Sequence, residues 1–150
     1  MTLGYIFDGE KVLLGLKKRG FAIGKWNGYG GKAKEGEDIE SALKREFLEE
    51  AGIKVIECEK RGVVSFQFKD GDLLEVHIFK ILKHEGSPLE SEEMFPGWFN
   101  VHELPFDKMW VSDLVWMPLF LEGSKFEGDL LFENTEKILC YNIKKTDSLV

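Results

Sequence analysis

Only two cysteines, Cys58 and Cys140, occur in the 150 residues. They lie far apart and have no CxxC spacing, so neither a disulfide framework nor a cysteine-held zinc site is expected, and the setting expected is a reducing, cytoplasmic one. No apolar run approaches the ~18 residues of a membrane-spanning helix. The opening MTLGYIFDGEKVLLG has an acidic pair where a secretory leader would place its apolar centre. Positive charge is scarce as well, since 20 Lys and Arg stand against 27 Asp and Glu, for a formal net charge of -7. Such a surface repels a phosphate backbone, which excludes broad electrostatic binding to duplex nucleic acid; a small polyanion can still be held through a metal ion. Internal repeats and low-complexity segments are also lacking, which removes solenoids and charged tails.

What is present fits one folded domain over residues 1–150, expected to be monomeric, with 43% hydrophobic and 31% charged residues. Thr2–Phe7 and Lys11–Leu16 read as a hairpin across Asp8-Gly9, and Gly62–Phe68 and Leu73–Leu82 as a second one across Lys69–Asp72. Six glycines between Gly20 and Gly36 predict an irregular loop with close backbone approach. Asp38–Ala51 predicts a helix, with Asp38 as cap and Gly52 as stop. Pro88, Pro96 and Pro105 break the chain around a short GWF strand, after which Asp113–Leu121 predicts a second helix despite Pro118. Strands at Asp129–Phe132 and Ile138–Ile143 complete the pattern, and the fold class expected is α/β or α+β, a sandwich of strands and two helices.

On the first helix, Ile39, Leu43 and Phe47 form an apolar stripe with Ala42 beside it. Glu46, Glu49 and Glu50 fall within an arc of about 100° that overlaps this stripe. Carboxylates at i, i+3 and i+4 repel one another and raise each other's pKa. A hard divalent cation, Mg²⁺ or Mn²⁺, takes oxygen ligands of this kind and leaves positions open for phosphate. The alternative is a solvated acidic edge neutralised by Lys and Arg. The adjoining Gly-rich loop favours the metal, although GYGGKA lacks the spacing of a Walker A loop.

Gly31, Glu37, Arg45, Glu46, Phe47, Glu49, Glu50, Gly52 and Ile53 stand in the pattern G-x5-E-x7-R-E-U-x-E-E-x-G-U, where U is bulky and apolar. This resembles the complete box of the Nudix hydrolases, nine specified positions over 23 residues. The resemblance implies an α/β/α sandwich with a mixed β-sheet between helices, and Mg²⁺-dependent hydrolysis of a nucleoside diphosphate linked to a further group. By position it implies Glu46, Glu49 and Glu50 as metal ligands, one of them serving as base. It implies Arg45 and Glu37 as the orienting pair, and the Gly30 main-chain carbonyl as a further ligand.

Beyond the box, LLGLKKRGFAIGKWNGYGGKAKEGE, ESEEMFPGWF, LPFDKMW and KFEG resemble the oxidised purine nucleoside triphosphatase branch. That branch hydrolyses substrates such as 8-oxo-dGTP to the monophosphate and pyrophosphate, sanitising the nucleotide pool. The resemblance implies that Thr2, Lys17, Asn27 and Trp110 contact the nucleotide and that Glu93 is a late metal ligand. Phe21 and Phe66 are candidate pocket walls, and Tyr29, Gly30, Gly31 and Lys32 of the glycine segment join the substrate-binding candidates. Trp110 offers a face for stacking a purine, and Asn27 a donor and an acceptor for its edge. Asp113 is expected to accept two N–H bonds from a guanine-like edge. Ser112 departs from the branch, which carries two adjacent aspartates there, and this narrows the expected range of oxidised purines.

The remaining aromatic and titratable residues have blander readings. Trp98 and Trp116 are expected in the core, and His77, His84 and His102 lack metal-ligand spacing. Rival functions are hydrolysis of a dinucleoside polyphosphate, a nucleotide sugar or a capped RNA end, against which the acidic surface weighs, and a nucleotide sensor without turnover.

Overall fold

The computed structural model describes residues 1–149. Its strands are β1 (Thr2–Asp8), β2 (Lys11–Lys17), β3 (Trp26–Asn27), β4 (Lys54–Phe68), β5 (Leu73–Glu85), β6 (Met94–Asn100), β7 (Lys125–Asn134) and β8 (Lys137–Thr146). The helices are α1 (Ile39–Ala51) and α2 (Asp113–Leu121), with a 3₁₀ turn at Phe106–Lys108. The sheet runs β3-β2-β1-β5-β4-β7-β8, and β6 lies along β2. It is mixed: β1 pairs with β5 and β4 with β7 in parallel, while the hairpins β1–β2, β4–β5 and β7–β8 are antiparallel.

Each face of the sheet buries its own apolar cluster. Leu43, Phe47 and Ala51 of α1 pack with Ile6, Leu13, Phe79 and Ile81 on one side. Trp116, Met117 and Phe120 of α2 pack with Tyr5, Leu14, Phe126 and Phe132 on the other. This is the expected α/β sandwich, with a helix on each face. Gly4 sets the depth of α1 on β1, because a Cβ there would lie 2.5 Å from the Phe47 ring and 2.9 Å from Leu43. No helix among the described residues is long and apolar enough to cross a membrane.

Two strands and one side chain differ from the sequence expectation. β4 begins at Lys54, well ahead of Gly62, and its ladder with β5 slips after Val55, Glu57 and Lys60. Bulges of this kind break the period-2 pattern that marks a strand. β6 extends the GWF segment in both directions and includes Pro96; among the described residues it pairs with β2 alone, an edge position where proline is tolerated. Trp98 of β6 is 39% exposed, a correction to its expected place in the core, whereas Trp116 is fully buried.

Candidate functional site

The acidic end of the site rests on how α1 begins and ends. Asp38 caps it by accepting from the Ser41 amide at 2.8 Å, and Gly52 stops it in the left-handed conformation at φ 67°. Between these ends the apolar stripe turns Glu50 inward to 5% exposure and leaves Glu46 half-buried and Glu49 exposed. Burial, with the Glu46 charge alongside, pushes the Glu50 carboxyl up to about 8; the Gly30 amide and Lys17 pull it down, and Glu93 adds to the rise.

The glycine segment lies against β1 by way of Thr2 N to Gly31 O at 2.8 Å and Gly4 N to Tyr29 O at 2.7 Å. Close approach is what its glycines supply. A Cβ on Gly30, at φ 154°, would stand 2.0 Å from the Thr2 carbonyl oxygen, and one on Gly31 would stand 2.7 Å from the Glu46 carboxyl carbon. The Gly30 amide donates to Glu50 Oε1 at 3.1 Å. Thr2 is fully buried and its hydroxyl is spent on the Gly31 main chain. Tyr29 is also fully buried, stacked on Phe47 behind the cleft wall, so its ring does not reach the cleft.

Arg45 organises the box. Its Nε and Nη2 grip both Glu37 oxygens at 2.8 and 2.9 Å, Nη1 reaches Glu46 Oε1 at 2.9 Å and Glu49 Oε2 at 3.3 Å, and Nη2 also donates to the Lys32 carbonyl. The guanidinium holds the Glu37 carboxyl well below the usual carboxylate range. Glu93, from the loop before β6, pairs with Lys17 at 3.0 Å and Arg19 at 2.6 Å, and these cations hold its pKa down. Glu46 and Glu49 are therefore turned to Arg45, and Glu93 to Lys17 and Arg19. Among the described residues no three carboxylate, histidine or cysteine side chains converge as a metal cage. The donor set still suits a divalent cation in its chemistry. Glu50 is a buried carboxylate next to like charge and bonded only to an amide, the condition that a hard cation relieves.

From Glu50 and Lys17 a cleft of about 790 Å³ runs across the sheet end to Trp110 and Asp113. Gly30, Gly31 and Lys32 line its acidic end; Phe21, Phe66 and Trp110 wall the other. The Phe21 and Trp110 rings are 5.4 Å apart and Phe21 is 63% exposed, so an apolar face stands open to a flat ligand. Asn27 Oδ1 accepts from the Gly28 amide at 2.8 Å and the Tyr5 hydroxyl at 3.4 Å, which leaves the amide nitrogen as the free donor.

Ser112 and Asp113 open α2 and are 0% and 2% exposed. Neither the Ser112 hydroxyl nor Asp113 Oδ2 has a protein partner. Burial pushes the Asp113 carboxyl up to about 8. The rise favours the protonated carboxyl, which offers one donor and one acceptor where the ionised form would offer two acceptors. A guanine-type edge, with a keto oxygen beside an N–H, matches that pair as well. Sequence reasoning missed Phe68 and Lys25 on the cleft wall and Tyr5 behind Asn27. Tyr5 follows Leu3 on the same face of β1, so strand alternation was the only signal for it.

Comparison with known proteins bears on this cleft. Residues 2–120 match the NUDIX domain model. The chain is 46% identical over 148 residues to the oxidized purine nucleoside triphosphate hydrolase of Mus musculus, covering 98% of this chain and 95% of the relative. It is 43% identical over 150 residues to the protein of the same name from Danio rerio, covering 99% and 96%. Among solved structures, a Mutator MutT protein from Bacillus halodurans superposes with a TM-score of 0.80 at 29% identity, over 95% of each chain.

Proposed function

The chain belongs to the Nudix hydrolase family, and from that premise we propose that its cleft hydrolyses oxidised purine nucleoside triphosphates, 8-oxo-dGTP foremost, to the monophosphate and pyrophosphate. The observation that carries this is the continuity of one cleft from the Phe21, Asn27, Trp110 and Asp113 end to Glu50 and the Gly30-Gly31 backbone. A purine stacked at the first end sends its phosphates toward the second. The names of the mouse and zebrafish relatives, at this identity and coverage, support the same substrate class.

In this reading Glu46, Glu49, Glu50 and Glu93, with the Gly30 carbonyl, hold Mg²⁺, for which Mn²⁺ can substitute. The ion supplies positive charge against the phosphates and lowers the pKa of the attacking water. The rest falls to the chain. Trp110 stacks on the base with Phe21 beside it, Asn27 donates to its edge, and Asp113 gives and takes one hydrogen bond. Lys17 and Lys32 bring cationic charge to the phosphates, and the Gly30-Gly31 backbone lets them approach. Arg45, locked by Glu37, keeps the α1 carboxylates from relaxing away, so that one can take the proton of the incoming water. The substrate is a small molecule, and the chain acts as a cytoplasmic monomer that removes oxidised precursors before a polymerase uses them.

The test is kcat/KM with Mg²⁺ for 8-oxo-dGTP, dGTP, 2-oxo-dATP, dATP, a dinucleoside tetraphosphate and ADP-ribose, with products identified. A strong preference for 8-oxo-dGTP, yielding monophosphate and pyrophosphate, is expected. Preference for the dinucleoside or the sugar substrate would overturn the roles given to Asn27, Trp110 and Asp113. Nucleotide binding without turnover would make the protein a sensor.

A further inference from the structure

Arg19 has no part in the box or in the wall of the cleft, yet it is built into the acidic end. It follows β2, and its Nε meets Glu93 Oε1 at 2.6 Å while its Nη1 meets Glu92 Oε2 at 3.2 Å. The other Glu93 oxygen, Oε2, is taken by Lys17 Nζ at 3.0 Å. The two segments are also tied by main chain, with the Lys18 amide donating to the Glu93 carbonyl at 2.8 Å, and Lys18 pairs with Glu90. The pattern repeats what Arg45 does on α1, where one guanidinium is fixed on Glu37 and turns its remaining N–H groups to Glu46 and Glu49.

We propose that Arg19, braced by Glu92, is a positioning residue that holds Glu93 with one oxygen open to a cation, the counterpart of Arg45 braced by Glu37. The inference rests on the reading of Glu93 and Lys17 given above. Lys17 can turn from Glu93 Oε2 to a substrate phosphate, and a cation arriving at Oε2 repels its ammonium. When Lys17 leaves, for a phosphate or before an arriving cation, Oε2 is released, while Arg19 still fixes Oε1 and so sets the direction in which Oε2 points. Without Arg19, releasing Lys17 would free the whole carboxylate to rotate. Arg19 is 57% and Glu92 85% exposed at the side chain, so these pairs contribute little to stability, and their consequence is orientation.

The test is a Mn²⁺ titration of the nucleotide-free protein, with the free ion followed by electron paramagnetic resonance, for wild type, Arg19→Gln, Glu93→Gln and the double variant. Removing a group that orients a ligand costs about 10- to 100-fold in metal affinity, so a weakening of that size is expected for Arg19→Gln. The change should vanish in the Glu93→Gln background, and Glu92→Gln should give a smaller change of the same sign. The half-saturating Mg²⁺ concentration for turnover should rise in parallel, with KM for nucleotide within about twofold and Tm unmoved. Unchanged Mn²⁺ affinity with a raised KM would place Arg19 on the phosphate itself and overturn the proposal. Additive losses in the double variant, or no Mn²⁺ bound by wild type, would overturn it too. The titration uses no nucleotide, so a different substrate preference would sink the substrate reading and leave this coupling intact.

Discussion

Replacing Glu50 by Gln keeps the side-chain oxygen that accepts from the Gly30 amide and removes the charge that a cation needs. Turnover should fall by more than the about 10- to 100-fold that loss of a mere orienting partner costs, while the urea midpoint stays at or above wild type. Activity near wild type would remove Glu50 from the metal set. Asp113 predicts a pH effect on binding. Its proton is held up to about pH 8 and is the donor it offers to a base. Affinity for the nucleoside monophosphate should therefore be full below that value and decline as pH rises through it. Asp113→Asn keeps one donor and one acceptor, so it should bind with a flat profile over the same range, as isothermal titration can show. The sequence makes the box positions legible because their spacing is itself the chemistry. It does not reveal the protonation of Asp113, because burial sets that, and the Tyr5 ring of β1 reaches the start of α2 only in the assembled fold.

At the scale of elements, the distance between α1 and β1 decides where the box carboxylates stand. Gly4→Ala forces a methyl group onto Phe47 and Leu43 at the tightest point of that contact. Overpacking of this kind costs about 1–3 kcal/mol, and the urea midpoint should fall accordingly. Turnover should fall as well, since lifting α1 moves Glu50 away from the Gly30 amide; lost stability with unchanged turnover would show that the helix shifts without disturbing the site. α1 is readable in the sequence because its cap, stop and apolar stripe all lie within the helix. α2 is readable despite Pro118, as an apolar run from Asp113. β3 escapes notice because two residues have no periodicity, and the early half of β4 because its slips in register interrupt the alternation. The cleft wall suffers most from this limit. Phe21, Phe66 and Trp110 come from a loop, a strand and the approach to α2, and only the assembled sheet brings them together.

Among the described residues two carboxyl groups are buried, Glu50 and Asp113, each pushed up to about 8. In the unfolded chain both ionise near 4. Between those values the folded protein holds protons that the unfolded chain has released, so stability falls as pH rises, by at most about 1.4 kcal/mol per pH unit for each group, and levels off above about pH 8. His77 works on the acid side of this range. Burial lowers its pKa, so its contribution to stability is lost only as pH falls through the ordinary histidine value. In EDTA, Tm should therefore decline from about pH 6.5 to about pH 8. Glu50→Gln and Asp113→Asn should each flatten part of the decline, and the double variant most of it. Mg²⁺ separates the two contributions, because a cation on Glu50 favours its ionised form while leaving Asp113, at the base end, as it was. The rise in Tm on adding Mg²⁺ should thus be larger at pH 8 than at pH 6.5 in wild type and in Asp113→Asn, and should disappear in Glu50→Gln. An equal rise at both pH values in wild type would mean that the cation binds without displacing the Glu50 proton, and would take Glu50 out of its coordination.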